Sequence, residues 1–154
     1  MLKKFIITAL LLLILHGTVF GASPSATDIF NQMYLLQPGT DVKAAYDLLG
    51  PPQETNDTPP ILLWNIAPNR VILVFLRNSS IIEKIGYIET YEQISFASMR
   101  YEELKKGFYK IIKSPAKEAE WGSGWFINNS IFAVDYSEES FGSNVTVYFF
   151  EINE

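Results

Sequence analysis

Residues 35–52, Leu-Leu-Gln-Pro-Gly-Thr-Asp-Val-Lys-Ala-Ala-Tyr-Asp-Leu-Leu-Gly-Pro-Pro, restrict the fold more than any other stretch. Pro38-Gly39 is a turn signal. Thr40 or Asp41 can cap a helix, because a side-chain oxygen there accepts a bond from an N–H two or three residues on. Val42, Ala45, Leu48 and Leu49 recur at helical spacing and make one apolar stripe. Gly50 suits a left-handed position after the last turn, and Pro51-Pro52 cannot continue a helix. Such a helix has about two to three turns, too few to be stable alone. Its stripe must be buried on something, and the strand-rich segment that follows is the nearest partner.

The chain opens differently. Lys3 and Lys4 precede an apolar run over residues 5–15, too short to span a bilayer comfortably. Val19-Phe20-Gly21 places small residues at −3 and −1. The pattern predicts a signal peptide over residues 1–21, cleaved before Ala22, with 22–26 as a flexible leader. No cysteine follows the apolar run, so a lipid anchor is not expected. What remains after cleavage suits one domain or two very small ones, and one compact unit is the expectation. No second run is long enough to be a transmembrane segment.

Cleavage would remove Lys3, Lys4 and His16, leaving an acidic chain without histidine or cysteine. That excludes Ser-His-Asp and Cys-His nucleophile systems. It equally excludes zinc, haem and iron–sulfur sites with His or Cys ligands, and no cofactor is expected. No disulfide can form, whereas small secreted eukaryotic domains often depend on them. An exported bacterial protein, periplasmic or secreted, is the expectation. The acidic balance without an evident basic cluster argues against nucleic acid and anionic membrane surfaces.

Along the chain, Thr27-Asp28 can cap a helix through about Leu36, with Ile29, Met33 and Leu36 on one face. Residues 53–60 read as a polar loop. Strands are expected over 61–66, over 70–77, which is apolar at both parities and so central, and over 81–90, where alternation sets Ile82 and Ile88 opposite Ile85 and Tyr87. Residues 91–99 and 101–113 read as two helices, the second with Leu104, Phe108, Ile111 and Ile112 on its stripe. Strands follow near 125–128, 131–136 and 144–152, the last two separated by an acidic loop over 137–143. Both halves read helix, proline stop, polar loop, tryptophan, three strands. A shift of about 61 residues lays Trp64 on Trp125 and Tyr87 on Tyr148. The expected fold is α+β: an antiparallel sheet of about six strands with short helices on one face. It divides into two tandem α-βββ repeats, residues 27–90 and 91–154.

The run Leu36-x-Pro-Gly-Thr-Asp-Val, then Leu48-Leu49-Gly50-Pro51-Pro52, then Trp64 and a strand ending near Asn78, is similar to a known repeat. It resembles the SmpA/OmlA (BamE-type) small outer-membrane-assembly proteins, whose repeat β-lactamase inhibitory proteins carry in tandem. The likeness covers about residues 35–89. The second half ends its helix in Ile112-Lys113-Ser114-Pro115 in place of Leu-Gly-Pro. The resemblance implies helices packed on one face of an antiparallel sheet and a non-catalytic role in binding protein partners. The absent lipobox cysteine separates this chain from the lipoprotein members.

Other constellations carry less. Ser114-Pro115-Ala116-Lys117 matches the S-x-x-K acyl-enzyme signature, without the companion motifs. Glu102-Glu103, Glu118 with Glu120, and Glu138-Glu139 could supply paired carboxylates for glycoside hydrolysis, but polar surroundings favour solvated surface. Asp135, Glu138 and Glu139 lack EF-hand spacing. Aromatic residues are the stronger candidates, because a sheet with helices on one side leaves its other face free for large, rigid contact groups. The expectation is a non-enzymatic protein-binding module, inhibitor-like or an envelope-assembly accessory, using Trp64, Trp121, Trp125, Tyr136 and Tyr148, with Phe150 beside them. The alternative is a periplasmic carrier of a small hydrophobic ligand or lipid, held between helices and sheet.

Overall fold

A computed structural model describes residues 23–120, 122–139 and 142–152. The expected signal peptide and Trp121 lie outside them. Helix α1 spans Ala26–Leu35, α2 Lys43–Leu49 and α3 Ile94–Ile112. The strands are β1 Glu54–Asp57, β2 Pro60–Ala67, β3 Arg70–Arg77, β4 Ile81–Tyr91, β5 Lys117–Ala119, β6 Gly122–Ile127, β7 Ser130–Glu139 and β8 Gly142–Glu151.

The cap of α1 is Ser25, two residues before the expected Thr27. The Ser25 hydroxyl accepts the Asp28 N–H at 3.2 Å, and the Asp28 carboxylate accepts the Ser25 N–H at 3.1 Å. This reciprocal pair satisfies two donors that the first turn leaves without helical partners. The expected leader is therefore held from Pro24 onward, since the Pro24 carbonyl also accepts a bond from Arg100 at 2.6 Å. In α2 the Asp41 carboxylate takes the Lys43 N–H at 2.7 Å. Gly50 closes that helix at φ 75°, where a side chain is strained, and its N–H bonds Tyr46 O at 2.9 Å. Ala45 is fully buried, while Leu48 points to solvent, so the α2 stripe is narrower than its spacing suggested.

All eight strands join one antiparallel sheet in the order β1-β2-β3-β4-β8-β7-β6-β5. Two four-stranded meanders meet at the β4–β8 ladder, where Tyr87 faces Val147 and Ile85 faces Phe149. This overturns the expectation of about six strands in two tandem α-βββ repeats. The additional strands, β1 and β5, lie in stretches that read as polar loops. Each is an outer strand with one neighbour, so neither needs apolar alternation to be held. The helical parts also differ. Two short helices precede the first meander, and the two helices expected over 91–113 are one continuous helix before the second.

Two apolar layers flank the sheet. The larger holds Ile29 and Met33 of α1, Ala45 of α2, and Ala97, Leu104 and Phe108 of α3 against Trp64, Ile72, Val74, Ile85, Tyr87, Phe132, Val147 and Phe149. Phe108 meets Phe132 edge-on at 4.8 Å, and Phe132 meets Phe149 likewise at 5.6 Å. The smaller layer, on the opposite face, is built from strands alone: Ile61, Leu63, Val71, Leu73 and Ile88, with Phe75 against them. β3 contributes to both, as its two-sided apolar pattern requires. A register shift between Phe75 and Leu76 pairs them with Lys84 and Ile82, leaving Glu83 over. That extra residue puts Ile82 on the same side as Ile85 and Tyr87, correcting the alternation read from the sequence.

Candidate functional site

The sequence-selected aromatics are not gathered in one place. Trp64 on β2 is 1% exposed and Trp125 on β6 is 2% exposed, both in the helix-side core. Each has the same duty. The Trp64 indole N–H donates to Gly50 O at 2.9 Å, and that of Trp125 donates to Ser114 O at 2.9 Å. Carbonyls just past a helix end lack a helical donor. A buried indole needs an acceptor for its one N–H. Each tryptophan thus ties its strand to the end of the preceding helix and offers a partner no surface. Tyr136 is also on the helix side, 44% exposed, with its ring 5.0 Å from that of Tyr101. Tyr148, half-buried, is on the opposite face.

The ladders around Tyr148 explain what surrounds it. On β4, Gly86 pairs with Tyr148 and Lys84 with Phe150. On β7, Ala133 pairs with Tyr148 and Asp135 with Thr146. Small residues on both sides leave the Tyr148 ring room to lie over the sheet, and a Cβ placed on Gly86 would meet that ring at 3.9 Å. The Lys84 ammonium sits 4.5 Å from the Tyr148 ring centroid, 5.5 Å from that of Phe75 and 5.7 Å from that of Phe150. Ring faces attract a cation, more so as water is removed. Burial lowers the Lys84 pKa, and the charge of Asp135 opposes the shift. Burial pushes Asp135 up to about 6, with Lys84 opposing it. Farther along the same face, Lys117 lies over Phe126 at 4.7 Å. No described helix contributes to this face's apolar cluster.

A second polar assembly lies under α3. Glu89 of β4 is fully buried and accepts bonds from Tyr87 at 2.5 Å, Tyr91 at 2.5 Å, and Arg100 through Nε at 2.8 Å and Nη2 at 3.0 Å. Arg100 also reaches Glu103 at 3.0 Å. Every polar end of Glu89 is occupied, so this network holds structure together and leaves nothing for a substrate. Its sequence signals were an acid at the inward parity of β4 and an arginine on the stripe of α3.

A third assembly joins α3 to β5 and β6. Lys105 bonds Glu118 at 2.9 Å, Glu118 accepts the Ser123 hydroxyl at 2.7 Å, and Ser123 shares a 2.5 Å bond with Tyr101. These bonds hold the Glu118 carboxyl below its ordinary range. Beside them opens a surface cleft of about 440 Å³ lined by residues of α3, of the segment before β5, and by Trp125.

The remaining motifs dissolve. Ser114 gives its carbonyl to Trp125, while Lys117 lies over Phe126, so the S-x-x-K residues serve separate purposes. The paired glutamates at 102–103, 118 with 120, and 138–139 are all exposed. Among the described residues, no three acidic side chains are grouped to hold a metal ion. None of the described helices is long and apolar enough to cross a membrane. Comparison of the chain with protein-family models, with curated proteins and with solved structures finds no match.

Proposed function

We propose that this chain is an exported, non-enzymatic protein-binding module. It engages its partner through the sheet face opposite the helices, centred on Lys84, Phe75, Tyr148 and Phe150. The observation that carries the reading is the cation set among three rings on a face to which no described helix contributes. Rings fixed by cross-strand neighbours lose little entropy on contact, which is what makes aromatic residues effective interface anchors. Asp135 at the margin supplies an acceptor whose charge changes near pH 6. The resemblance of residues 35–89 to the SmpA/OmlA (BamE-type) repeat supports an inhibitor-like or envelope-assembly role. The expected export rests on the leader sequence.

Trp64 and Trp125 drop out of the binding set because they are buried, and Tyr148 becomes its centre. The space between helices and sheet, where a hydrophobic ligand would be carried, is occupied by Phe108, Trp125, Phe132 and Phe149 in mutual contact. That favours the interaction module over a carrier.

The test is affinity capture from a bacterial envelope extract, comparing the wild type with Lys84→Ala/Tyr148→Ala and with Met99→Ala on the exposed side of α3. A partner kept by the wild type and Met99→Ala but lost with the double variant is expected. Identical partner sets for all three proteins would refute the assignment.

A further inference from the structure

Residues 105–117 hold five lysines and no carboxylate, in a chain whose formal charge is −5. The fold concentrates three of them, Lys105, Lys106 and Lys110, along the cleft of about 440 Å³ between α3 and the segment leading into β5. This volume falls in the range of small-ligand sites, roughly 300–1,000 Å³. Lys105 is committed to Glu118. Lys106 and Lys110 are four residues apart on one face of the helix, both exposed, and neither forms an ion pair among the described residues. Like charges at that spacing repel, and an anion placed between them relieves the repulsion. Lysine suits a phosphate as a point charge with several donors.

The rest of the cleft is not purely basic. Glu102 lines it one turn earlier, and the exposed Tyr109 ring lies between the two lysines in sequence. A carboxylate accepts bonds from hydroxyls, and a ring offers a flat apolar surface to the C–H face of a sugar. The Lys105–Glu118 pair, tied through Ser123 to Tyr101, fixes one wall of the cleft.

We propose that this cleft binds a phosphorylated sugar. Lys106 and Lys110 take the phosphate, Glu102 accepts sugar hydroxyls, and Tyr109 packs on the ring. Two sources carry this chemistry, the free phosphosugar and a phosphorylated lipid headgroup. The site is separate from the Lys84 face, on the other side of the sheet.

Amide resonances are followed in ¹H–¹⁵N spectra while the protein is titrated with glucose 6-phosphate, with glucose alone and with inorganic phosphate in parallel. Saturable shifts confined to residues 102–110 and 116–118 are expected with glucose 6-phosphate. Glucose should produce none, and inorganic phosphate should bind at least tenfold more weakly. Lys106→Gln/Lys110→Gln should weaken binding at least tenfold with resonances elsewhere unmoved, and Glu102→Gln severalfold. A parallel arm measures co-sedimentation with phosphatidylcholine vesicles with and without phosphatidylinositol phosphate. Lysine-dependent binding in either arm supports the proposal, and the stronger arm names the source. Shifts unchanged by the double lysine substitution, shifts of equal size for glucose and glucose 6-phosphate, inorganic phosphate bound as tightly as glucose 6-phosphate, or no lysine-dependent binding in either arm would overturn it.

Discussion

Burial alone would raise the Glu89 carboxyl, yet the bonds it accepts from Arg100, Tyr87 and Tyr91 outweigh that cost and its pKa is lowered. The group therefore adds stability that is fully present above its unfolded value near 4.5. That stability is lost as pH falls through the lower folded value. Glu89→Gln keeps the shape but takes away the buried counter-charge of the Arg100 guanidinium and leaves it only the exposed Glu103 carboxylate, which costs up to about 3–5 kcal/mol. Urea denaturation at pH 7 should read that loss, and the gap between variant and wild type should narrow below pH 4. Asp135 has the opposite sign. Its carboxyl is pushed up to about 6 from 3.8 by burial, so the folded state holds the proton more tightly than the unfolded chain. Its favourable contribution is complete at low pH and is lost as pH rises through 6. Asp135→Asn should therefore stabilise the protein by up to about 2 kcal/mol at pH 8. At pH 3.5 the two proteins should unfold at the same urea concentration.

Where α1 meets α3 the contact is closer than any side chain allows. A Cβ on Gly107 would lie 2.3 Å from the Ala26 Cβ, an atom fixed to the backbone that cannot rotate away. Replacing glycine by alanine inside a helix ordinarily gains about 1 kcal/mol. Overpacking costs about 1–3 kcal/mol, and at this distance the overpacking wins. Gly107→Ala should lower the thermal midpoint, and adding Ala26→Gly should recover most of the loss. The helix faces were readable from periodicity because Ile29, Met33, Leu104 and Phe108 repeat at the spacing that one buried side imposes. So was the two-sided burial of β3. The outer strands β1 and β5 were not, because a strand of three or four residues with one neighbour carries no periodic mark. Nor were the duties of Trp64 and Trp125, whose acceptors lie 14 and 11 residues back along the chain. The Lys84 cluster was hidden for the same kind of reason. Phe75, Tyr148 and Phe150 reach Lys84 only through strand register, which no local pattern encodes. The lysines of residues 105–117 stood in the sequence, but the net acidic charge concealed that the fold would collect three of them along one cleft.

Across the whole sheet, the two meanders meet at β4 and β8 through eight consecutive residue pairs, Lys84–Phe150 to Tyr91–Ser143. The helix-side core runs through that joint without a break, from Trp64 on β2 to Trp125 on β6. α3 reinforces it: its Arg100 bonds Glu89 of the first meander, and its Phe108 packs on Phe132 of the second. Neither half can open without exposing apolar surface belonging to the other, at roughly 25 cal/mol for each Å². Unfolding should therefore be a single cooperative transition. Trp64 and Trp125 report on opposite sides of the joint. In a Trp121→Phe background, Trp125→Phe leaves Trp64 as the only indole, and Trp64→Phe leaves Trp125. Each protein should be less stable than its parent by about 1 kcal/mol or more, since a carbonyl loses its donor. Within each variant, however, the fluorescence and far-ultraviolet circular dichroism midpoints in urea should coincide. A tryptophan signal that moved ahead of the dichroism in either variant would mean that the β4–β8 ladder joins two units that unfold separately.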